Sequence, residues 1–186
     1  MPPAPSPTVT LRDVAEADAA IHAAYPPEPE IVRMYGGDPA NLPERSFAAS
    51  RDWVAWMQAQ PYARIIERDG TAVGHLRLHS LSVVDGRARL GIGLFSSAFL
   101  GQGIGRRAIV LALDDAFGPL GLHRVDLRVL ATNTRAIRCY ESCGFVHECT
   151  ERDAACVEGS WVDDWIMSIL AREHEARRQD GDRHSG

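Results

Sequence analysis

Apolar residues recur at two different intervals along the chain, and each interval predicts a type of element. Alternation or short apolar runs predict strands over 8–12, 62–68, 71–81, 87–95, 124–130, 145–151 and 161–170. Spacing of three and four predicts helices over 14–24, 44–58, 104–117 and 134–143. Three of the strands follow one another without crossover helices. We therefore predict a mixed α/β (α+β) sheet and not a doubly wound parallel one.

Turn and cap residues predict where several elements begin and end. Asp69-Gly70 lies between two apolar runs and predicts a tight hairpin turn. Asp13 and Glu16 have the spacing of a capping box at the start of the first helix. Gly144 is placed to end the helix 134–143 in the left-handed conformation.

The length of 186 residues, of which 45% are hydrophobic, favours one globular domain. We assign residues 8–171 to that domain. Residues 1–7 are rich in proline and predict a flexible arm. Residues 172–186 are almost wholly polar and predict a disordered tail.

Charge and composition exclude several classes of partner. A net charge of -5 argues against a nucleic-acid or anionic-membrane partner. We expect no membrane span, since no long apolar run occurs, and a cytoplasmic location, since the N-terminus lacks the features of a signal peptide. The spacing of the four cysteines matches no zinc pattern, which predicts free thiols and no metal.

The segment "FLGQGIGRRAI", residues 99–109, joins a predicted strand to a predicted helix. The first N–H groups of a helix have no intrahelical partner and carry partial positive charge, and glycines let a ligand approach the backbone. The segment therefore predicts an anion site, although a plain tight connection would use the same residues. It lacks the Lys-Ser/Thr of a triphosphate loop and the downstream acidic residue of a dinucleotide loop.

A second segment, "VLATNTRAIRCYESCGF" at residues 129–145, distinguishes between these alternatives. Together with "GQGIGRRA" and the strand order, it resembles the GNAT superfamily of N-acetyltransferases over about residues 62–170. The "GQG" form of the loop, "RDVAEADAA" and "WVDDWIMSIL" look most like the branch of ribosomal-protein N-terminal (Rim-like) acetyltransferases. That branch also includes polyamine and aminoglycoside acetyltransferases. Leu100 departs from the family pattern, which often has Arg or Gln there.

The resemblance implies a single-domain fold with six or seven mostly antiparallel strands, flanking helices and splayed central strands. It also implies acetyl-CoA as co-substrate, with no metal. Main-chain groups at the end of one central strand would bind the pantetheine arm and polarise the thioester: Gly93, Leu94 and Phe95. The other residues that the resemblance assigns to the cofactor are Gly101, Gln102, Gly103, Ile104, Gly105, Arg106 and Asn133.

Tyr140 is the residue to which the resemblance gives a chemical role, because a phenol near the sulfur helps the CoA thiolate to leave. Its alternative role is that of an ordinary core tyrosine. Asn133 has the alternative role of N-cap for the following helix. Cys139 and Cys143, four residues apart on that helix, allow an acetyl-cysteine but are more typical of small buried side chains.

No general base is assigned from the sequence. The candidates are Asp126, Asp163, Asp164, His75 and His79. The structural or solvated interpretation is favoured for each of them. The alternation of His75, Arg77 and His79 predicts the polar face of a half-exposed strand.

The sequence thus predicts an acetyl-CoA-dependent N-acetyltransferase that acts on a primary amine by direct attack in a ternary complex. The favoured acceptor is the N-terminal amine of a protein or peptide, and a polyamine or aminoglycoside is the alternative. A non-catalytic acyl-CoA sensor and an unrelated nucleotide-binding fold are rivals of other classes. Acidic residues in the acceptor region would attract a cationic amine or only form a solvated surface: Glu28, Glu30, Asp38, Glu151 and Asp153. A monomer and a homodimer both stay open.

Overall fold

The computed structural model describes residues 7–183, and the side chains of residues 7–180. The elements in chain order are β1 (Val9–Arg12), α1 (Asp18–Ala24), α2 (Pro29–Met34), α3 (Phe47–Gln58), β2 (Tyr62–Arg68), β3 (Thr71–Ser82), β4 (Arg87–Leu94), α4 (Ile104–Phe117), β5 (Arg124–Leu130), α5 (Thr134–Cys143), β6 (Val146–Val157), β7 (Ser160–Leu170) and α6 (Ala171–Arg183). The predicted arm lies outside the described residues, except for Pro7.

All seven strands belong to one sheet, in the order β1-β2-β3-β4-β5-β7-β6. Every neighbouring pair is antiparallel except β4 and β5, which are parallel. Those two strands pair over three positions only, from Arg87↔Arg124 to Arg89↔Asp126, and then part. The mixed sheet with splayed central strands, predicted from the sequence, is confirmed.

Helices cover both faces of the sheet. On one face, α4 and α5 pack against buried apolar residues of the central strands, such as Leu76, Leu90 and Leu127. The small residues Ala108 and Ala112 of α4 are about 1% exposed or less, so the helix approaches the sheet closely. On the other face, α1 and α3 form a second cluster around Ile65, Ala72 and Phe95.

The predicted capping box at the first helix is wrong. The helix begins at Asp18, and its N-cap residue Ala17 has no side-chain hydrogen bond. Asp13 instead forms an ion pair with Arg64 at 2.8 Å. The buried Asp18 accepts a hydrogen bond from Ala15 N–H and pairs with Arg12 at 2.7 Å. These tertiary ion pairs determine the helix start more strongly than the local spacing does.

The predicted disordered tail is wrong over residues 172–183, which form most of α6. The His174 side chain is 6% exposed, and its Nε2 lies 2.7 Å from Asp114 Oδ1. Its ring also packs against Phe117, with 5.4 Å between centroids. One buried residue therefore fixes the start of an otherwise polar helix, which no hydrophobic pattern signals. Residues 184–186 lie outside the described residues.

No helix within residues 7–183 is long and apolar enough to cross a membrane. The same part of the chain has no group of three or more His, Cys, Asp or Glu side chains arranged to bind a metal ion. All four cysteines are free thiols, and Cys143 is buried.

Candidate functional site

A cleft of about 740 Å³ opens where β4 and β5 part. Its walls are the end of α2, the second half of β4, the glycine loop, the end of β5 and α5. The cleft brings together all but one of the predicted site residues: Gly93, Leu94, Gly101, Gln102, Gly103, Ile104, Gly105, Arg106, Asn133 and Tyr140. The exception is Phe95, whose side chain belongs to the cluster beneath α1 and α3.

The direction of each backbone group on β4 corrects the predicted cofactor contacts. Phe95 N–H donates to the Val73 carbonyl at 2.9 Å, so this pair bonds across to β3. In an antiparallel pair, the main-chain N–H and C=O groups of successive residues point to opposite sides of the strand. Those of Gly93 therefore also point to β3, whereas those of Ile92 and Leu94 point into the gap beside β5. The prediction of free main-chain groups is therefore wrong for Gly93 and Phe95. Ile92, which sequence reasoning missed, takes their place beside Leu94.

Tyr35, which follows α2, lies against this open strand edge. Its hydroxyl donates to the Ile92 carbonyl at 2.6 Å. A Cβ atom on Gly93 would overlap that hydroxyl, which explains why glycine is needed inside this strand. Sequence reasoning missed Tyr35, because it lies in a region without regular spacing. The only local signal was an aromatic residue directly before Gly36-Gly37.

The glycine loop adopts a conformation that only glycine accepts easily. Gly101 and Gly103 have φ angles of +72° and +74°, and a Cβ at either position would meet open space. Their role is therefore conformational, and they turn the chain directly into α4. No side chain caps this helix at Gly103, and Arg107 N–H makes the first helical bond to the Gly103 carbonyl, at 3.1 Å. The N–H groups of the preceding turn are thus left for an anion.

The two arginines after the loop point in different directions. Arg106 lines the cleft beside the free N–H groups. Arg107 donates instead to the Pro7 carbonyl, where the chain enters β1. Only Arg106 therefore adds a full positive charge to the end of the helix that faces the cleft.

Asn133 has the structural role that the sequence offered as its alternative, the N-cap of α5. Its side-chain oxygen accepts a hydrogen bond from Ala136 N–H at 3.1 Å and caps α5. It also lines the cleft, opposite the glycine loop. The side-chain amide nitrogen is a separate donor, so capping leaves it free to bind a ligand.

Tyr140 projects from α5 into the same cleft. Its ring packs edge to face against Phe145, with 5.9 Å between centroids. Its hydroxyl makes no hydrogen bond to any described residue. Burial raises the pKa of this phenol well above its usual value, so the hydroxyl stays protonated near neutral pH and can donate a proton or a hydrogen bond.

The two cysteines of α5 have different environments. Cys139 lines the cleft, whereas Cys143 is buried and its Sγ contacts the Arg106 carbonyl at 3.7 Å. A hydrogen bond from Cys143 lowers the pKa of the Cys139 thiol. Cys139 is thus the thiol that a reactive ligand in the cleft would meet.

The candidate bases are engaged in other interactions. His75 packs between Trp53 and Phe95, and burial lowers its pKa to about 3. Like Arg77 and His79 it is half-buried, as predicted for the polar face of a half-exposed strand. Asp126 lies 2.5 Å from Arg89. Asp164 lies 3.0 Å from an arginine of β5 and is 2% exposed. No general base is assigned.

Similarity to known proteins agrees with this geometry. The family model described as an acetyltransferase (GNAT) domain matches residues 8–146. An uncharacterized N-acetyltransferase of Bacillus licheniformis is 25% identical over 173 residues, which cover 89% of this chain and 94% of that protein. A putative ribosomal N-acetyltransferase of Bacillus subtilis is 32% identical over 110 residues, which cover 59% of this chain and 60% of that protein.

A solved structure shares the fold. The spermidine N-acetyltransferase from Vibrio cholerae, in complex with CoA and spermine, superposes with a TM-score of 0.76 at 24% identity. The superposition covers 89% of this chain and 97% of that chain. The order of strands and helices is therefore common to both proteins.

Proposed function

Since the chain belongs to the GNAT family of acetyltransferases, we propose that its cleft binds acetyl-CoA and a primary amine together and transfers the acetyl group directly between them. The observation that supports this proposal best is the position of the uncapped start of α4 beside the open edge of β4. One element offers donors to an anion and the other offers main-chain groups to an extended amide chain. CoA carries both a pyrophosphate and such a chain.

The residues that would hold the cofactor divide between the two elements. The N–H groups of Ile104, Gly105 and Arg106 would bind the pyrophosphate, and Asn133 would donate to the cofactor from the opposite wall. Ile92 and Leu94 would pair with the pantetheine arm, in place of the hydrogen bond that Ile92 now receives from a tyrosine. Acetyl-CoA supplies the activated acetyl group.

The chain's own residues would lower the barrier by positioning and polarisation. The Leu94 N–H would donate to the thioester oxygen, where negative charge develops as the amine attacks. The amine nitrogen forms a bond to the acetyl carbon as the bond from carbon to sulfur breaks. Tyr140 would donate its proton to the departing sulfur, the amine would lose its extra proton to water, and water would return a proton to the Tyr140 oxygen.

For the acceptor we propose the N-terminal amine of a protein or peptide. The similarity to a putative ribosomal N-acetyltransferase supports this choice. A polyamine is the second candidate, because the solved structure with the same fold is a spermidine N-acetyltransferase. Turnover measured side by side on N-terminal peptides and on spermidine distinguishes the two.

Initial-rate kinetics test direct transfer. With both substrates varied, direct attack gives double-reciprocal lines that intersect, whereas an acetyl-cysteine intermediate gives parallel lines. The variant Cys139→Ala provides the matched check and should retain most of the wild-type kcat. Parallel lines, or a stable acetyl group on Cys139 in the absence of amine, would contradict direct attack.

A further inference from the structure

The part of the cleft beyond the predicted acetyl position is lined by three arginines, although the chain as a whole carries a net charge of -5. Arg77, Arg89 and Arg128 come from three adjacent strands and face this region. Asp164 is the one carboxylate among the cleft-lining residues that the structure describes, and it pairs with Arg128 at 3.0 Å. Arg89 also pairs with a carboxylate, so the repulsion that a polycation would meet here comes from Arg77.

Some acidic residues near the cleft are engaged by arginines or by a main-chain N–H group. Asp126 contacts Arg89 at 2.5 Å and a second arginine at 3.9 Å. Glu30 pairs with Arg135 at 3.0 Å, and Glu28 accepts a hydrogen bond from the Ser97 N–H at 3.1 Å. These contacts weaken the sequence-based case for acidic attraction at Glu28 and Glu30.

Arg77 differs from the other two arginines because no carboxylate in residues 7–180 pairs with it. Its Nε is buried and has no hydrogen-bond partner among the described residues. Its guanidinium lies 4.7 Å above the Trp56 ring and beside Gly91, where the missing side chain leaves room for it. Burial lowers the pKa of this guanidinium, but arginine stays charged at neutral pH. A half-buried guanidinium that has no carboxylate partner in the described part of the chain, and a buried Nε without a hydrogen bond there, is suited to bind an anion in the cleft.

The register of Arg77 places that anion near the open edge of β4, where the amine would react. Arg77 pairs in register with Gly91, and the open edge of β4 at Ile92 and Leu94 lies one to three residues further along. With a rise of about 3.4 Å per residue, Ile92 and Leu94 lie roughly 3 to 10 Å from Gly91 along the strand. A carboxylate within a few bonds of a primary amine is in keeping with this short spacing.

We propose that the acceptor of this enzyme is a primary amine that carries a carboxylate, and that Arg77 binds the carboxylate while the amine faces the thioester. The inference rests on the proposed acetyltransferase function and names the substrate class of the same site. The carboxylate has two sources, the side chain of an acidic N-terminal residue in a peptide and a free acidic amino acid. Both sources present the same chemistry to a guanidinium, which binds carboxylates through two parallel hydrogen bonds.

Matched acceptors that differ only in charge test this specificity. The peptides Asp-Ala-Ala-amide and Asn-Ala-Ala-amide have nearly the same shape, and free aspartate and spermidine complete the set. We expect the wild-type kcat/KM to favour the acidic peptide over its amide counterpart by at least about tenfold, since hydrogen bonds to charged groups are worth that much. A higher kcat/KM for free aspartate than for the acidic peptide would identify the small molecule as the source, and the reverse would identify the peptide.

Substitution of Arg77 tests whether this residue causes the preference for the acidic peptide. In Arg77→Gln the ratio of the two kcat/KM values should fall towards one, with the KM for acetyl-CoA unchanged, and Arg77→Lys should restore part of it. The control is Arg64→Gln, because Arg64 also lies over an aromatic ring, Tyr62, at 4.3 Å, but outside the cleft. This control should keep the wild-type ratio.

Three results would overturn the inference. They are a wild-type ratio near one, the highest kcat/KM for spermidine, and an unchanged ratio in a folded Arg77→Gln. The first two need no variant, so the test does not depend on whether Arg77→Gln folds. Absence of transfer to any amine would instead contradict the proposed function itself, which separates the two failures.

Discussion

Replacement of Tyr140 by phenylalanine separates a role in proton donation from a role in packing. The substitution keeps the ring that packs against Phe145 and removes only the hydroxyl, which has no hydrogen-bond partner among the described residues. Because no protein hydrogen bond is lost, the free energy of unfolding should change by less than about 0.5 kcal/mol. General acid catalysis contributes about 100-fold or more, so kcat should fall by at least that factor, equivalent to about 2.7 kcal/mol of barrier.

The chain offers a matched control in Tyr62, which is 5% exposed and lies outside the cleft. Its hydroxyl donates to Asp115 Oδ2 at 2.6 Å. Tyr62→Phe should therefore cost about 1 to 2 kcal/mol of stability, or roughly 2 to 8 °C in Tm, with kcat unchanged. Tyr140→Phe should thus lower kcat without loss of stability, and Tyr62→Phe should lower stability without loss of kcat.

Release of the CoA thiol, followed with a chromogenic disulfide at saturating acetyl-CoA and amine, measures kcat, and thermal unfolding measures stability. Because burial raises the pKa of Tyr140, wild-type kcat should show no loss from its ionisation between about pH 7 and 9. A Tyr140→Phe variant that keeps kcat within about twofold of wild type would refute proton donation by this residue. Tyr140 would then be a packing residue of the cleft wall.

Four further substitutions, one of them a control, test other parts of the molecule. Asn133→Ala should raise the KM for acetyl-CoA and lower the free energy of unfolding by about 1 kcal/mol. The control Ser46→Ala, which removes the N-cap of α3, should lower it by the same amount with an unchanged KM. Equal KM values for the two variants would show that Asn133 does not bind the cofactor. Burial lowers the pKa of His22 to about 4, whereas the histidine of the unfolded chain takes up its proton near pH 6.5. The contribution of neutral His22 to the free energy of unfolding should therefore be complete above about pH 6.5 and decline as the pH falls towards 4. Urea midpoints of His22→Gln should show a flatter pH dependence, and an identical dependence would contradict this assignment. His174→Ala should lower the free energy of unfolding by about 1 to 2 kcal/mol through loss of its contact with Asp114, without a change in KM, and an unchanged Tm would show that α6 is not anchored there.

The sequence predicts the fold well where local signals and tertiary packing agree. The bounds of α4, 104–117, are reproduced because its apolar face packs on the sheet and glycines flank it at both ends. The start of α1 is missed because ion pairs of Asp18 override a local capping pattern. The helix α6 is missed because a single buried histidine, and not a hydrophobic stripe, anchors it.

The candidate site shows the same division. Motifs with fixed spacing place the glycine loop, Asn133 and Tyr140 in one cleft. Spacing does not say which amide groups of β4 face that cleft, because that depends on the register with β3, and so Ile92 is missed. Arg77 is missed as a candidate ligand because its isolation from carboxylates is a property of three-dimensional packing.

Transfer of an isotopically labelled acetyl group is the most direct test of the central claim. The wild-type protein is incubated with labelled acetyl-CoA and Asp-Ala-Ala-amide, and mass spectrometry follows both the peptide and the protein. We expect the label on the peptide amine, at a rate equal to the release of CoA thiol, with none retained on the protein. If CoA binds the protein but no peptide or polyamine becomes labelled, the protein does not transfer acetyl groups to these amines, and the central claim is contradicted.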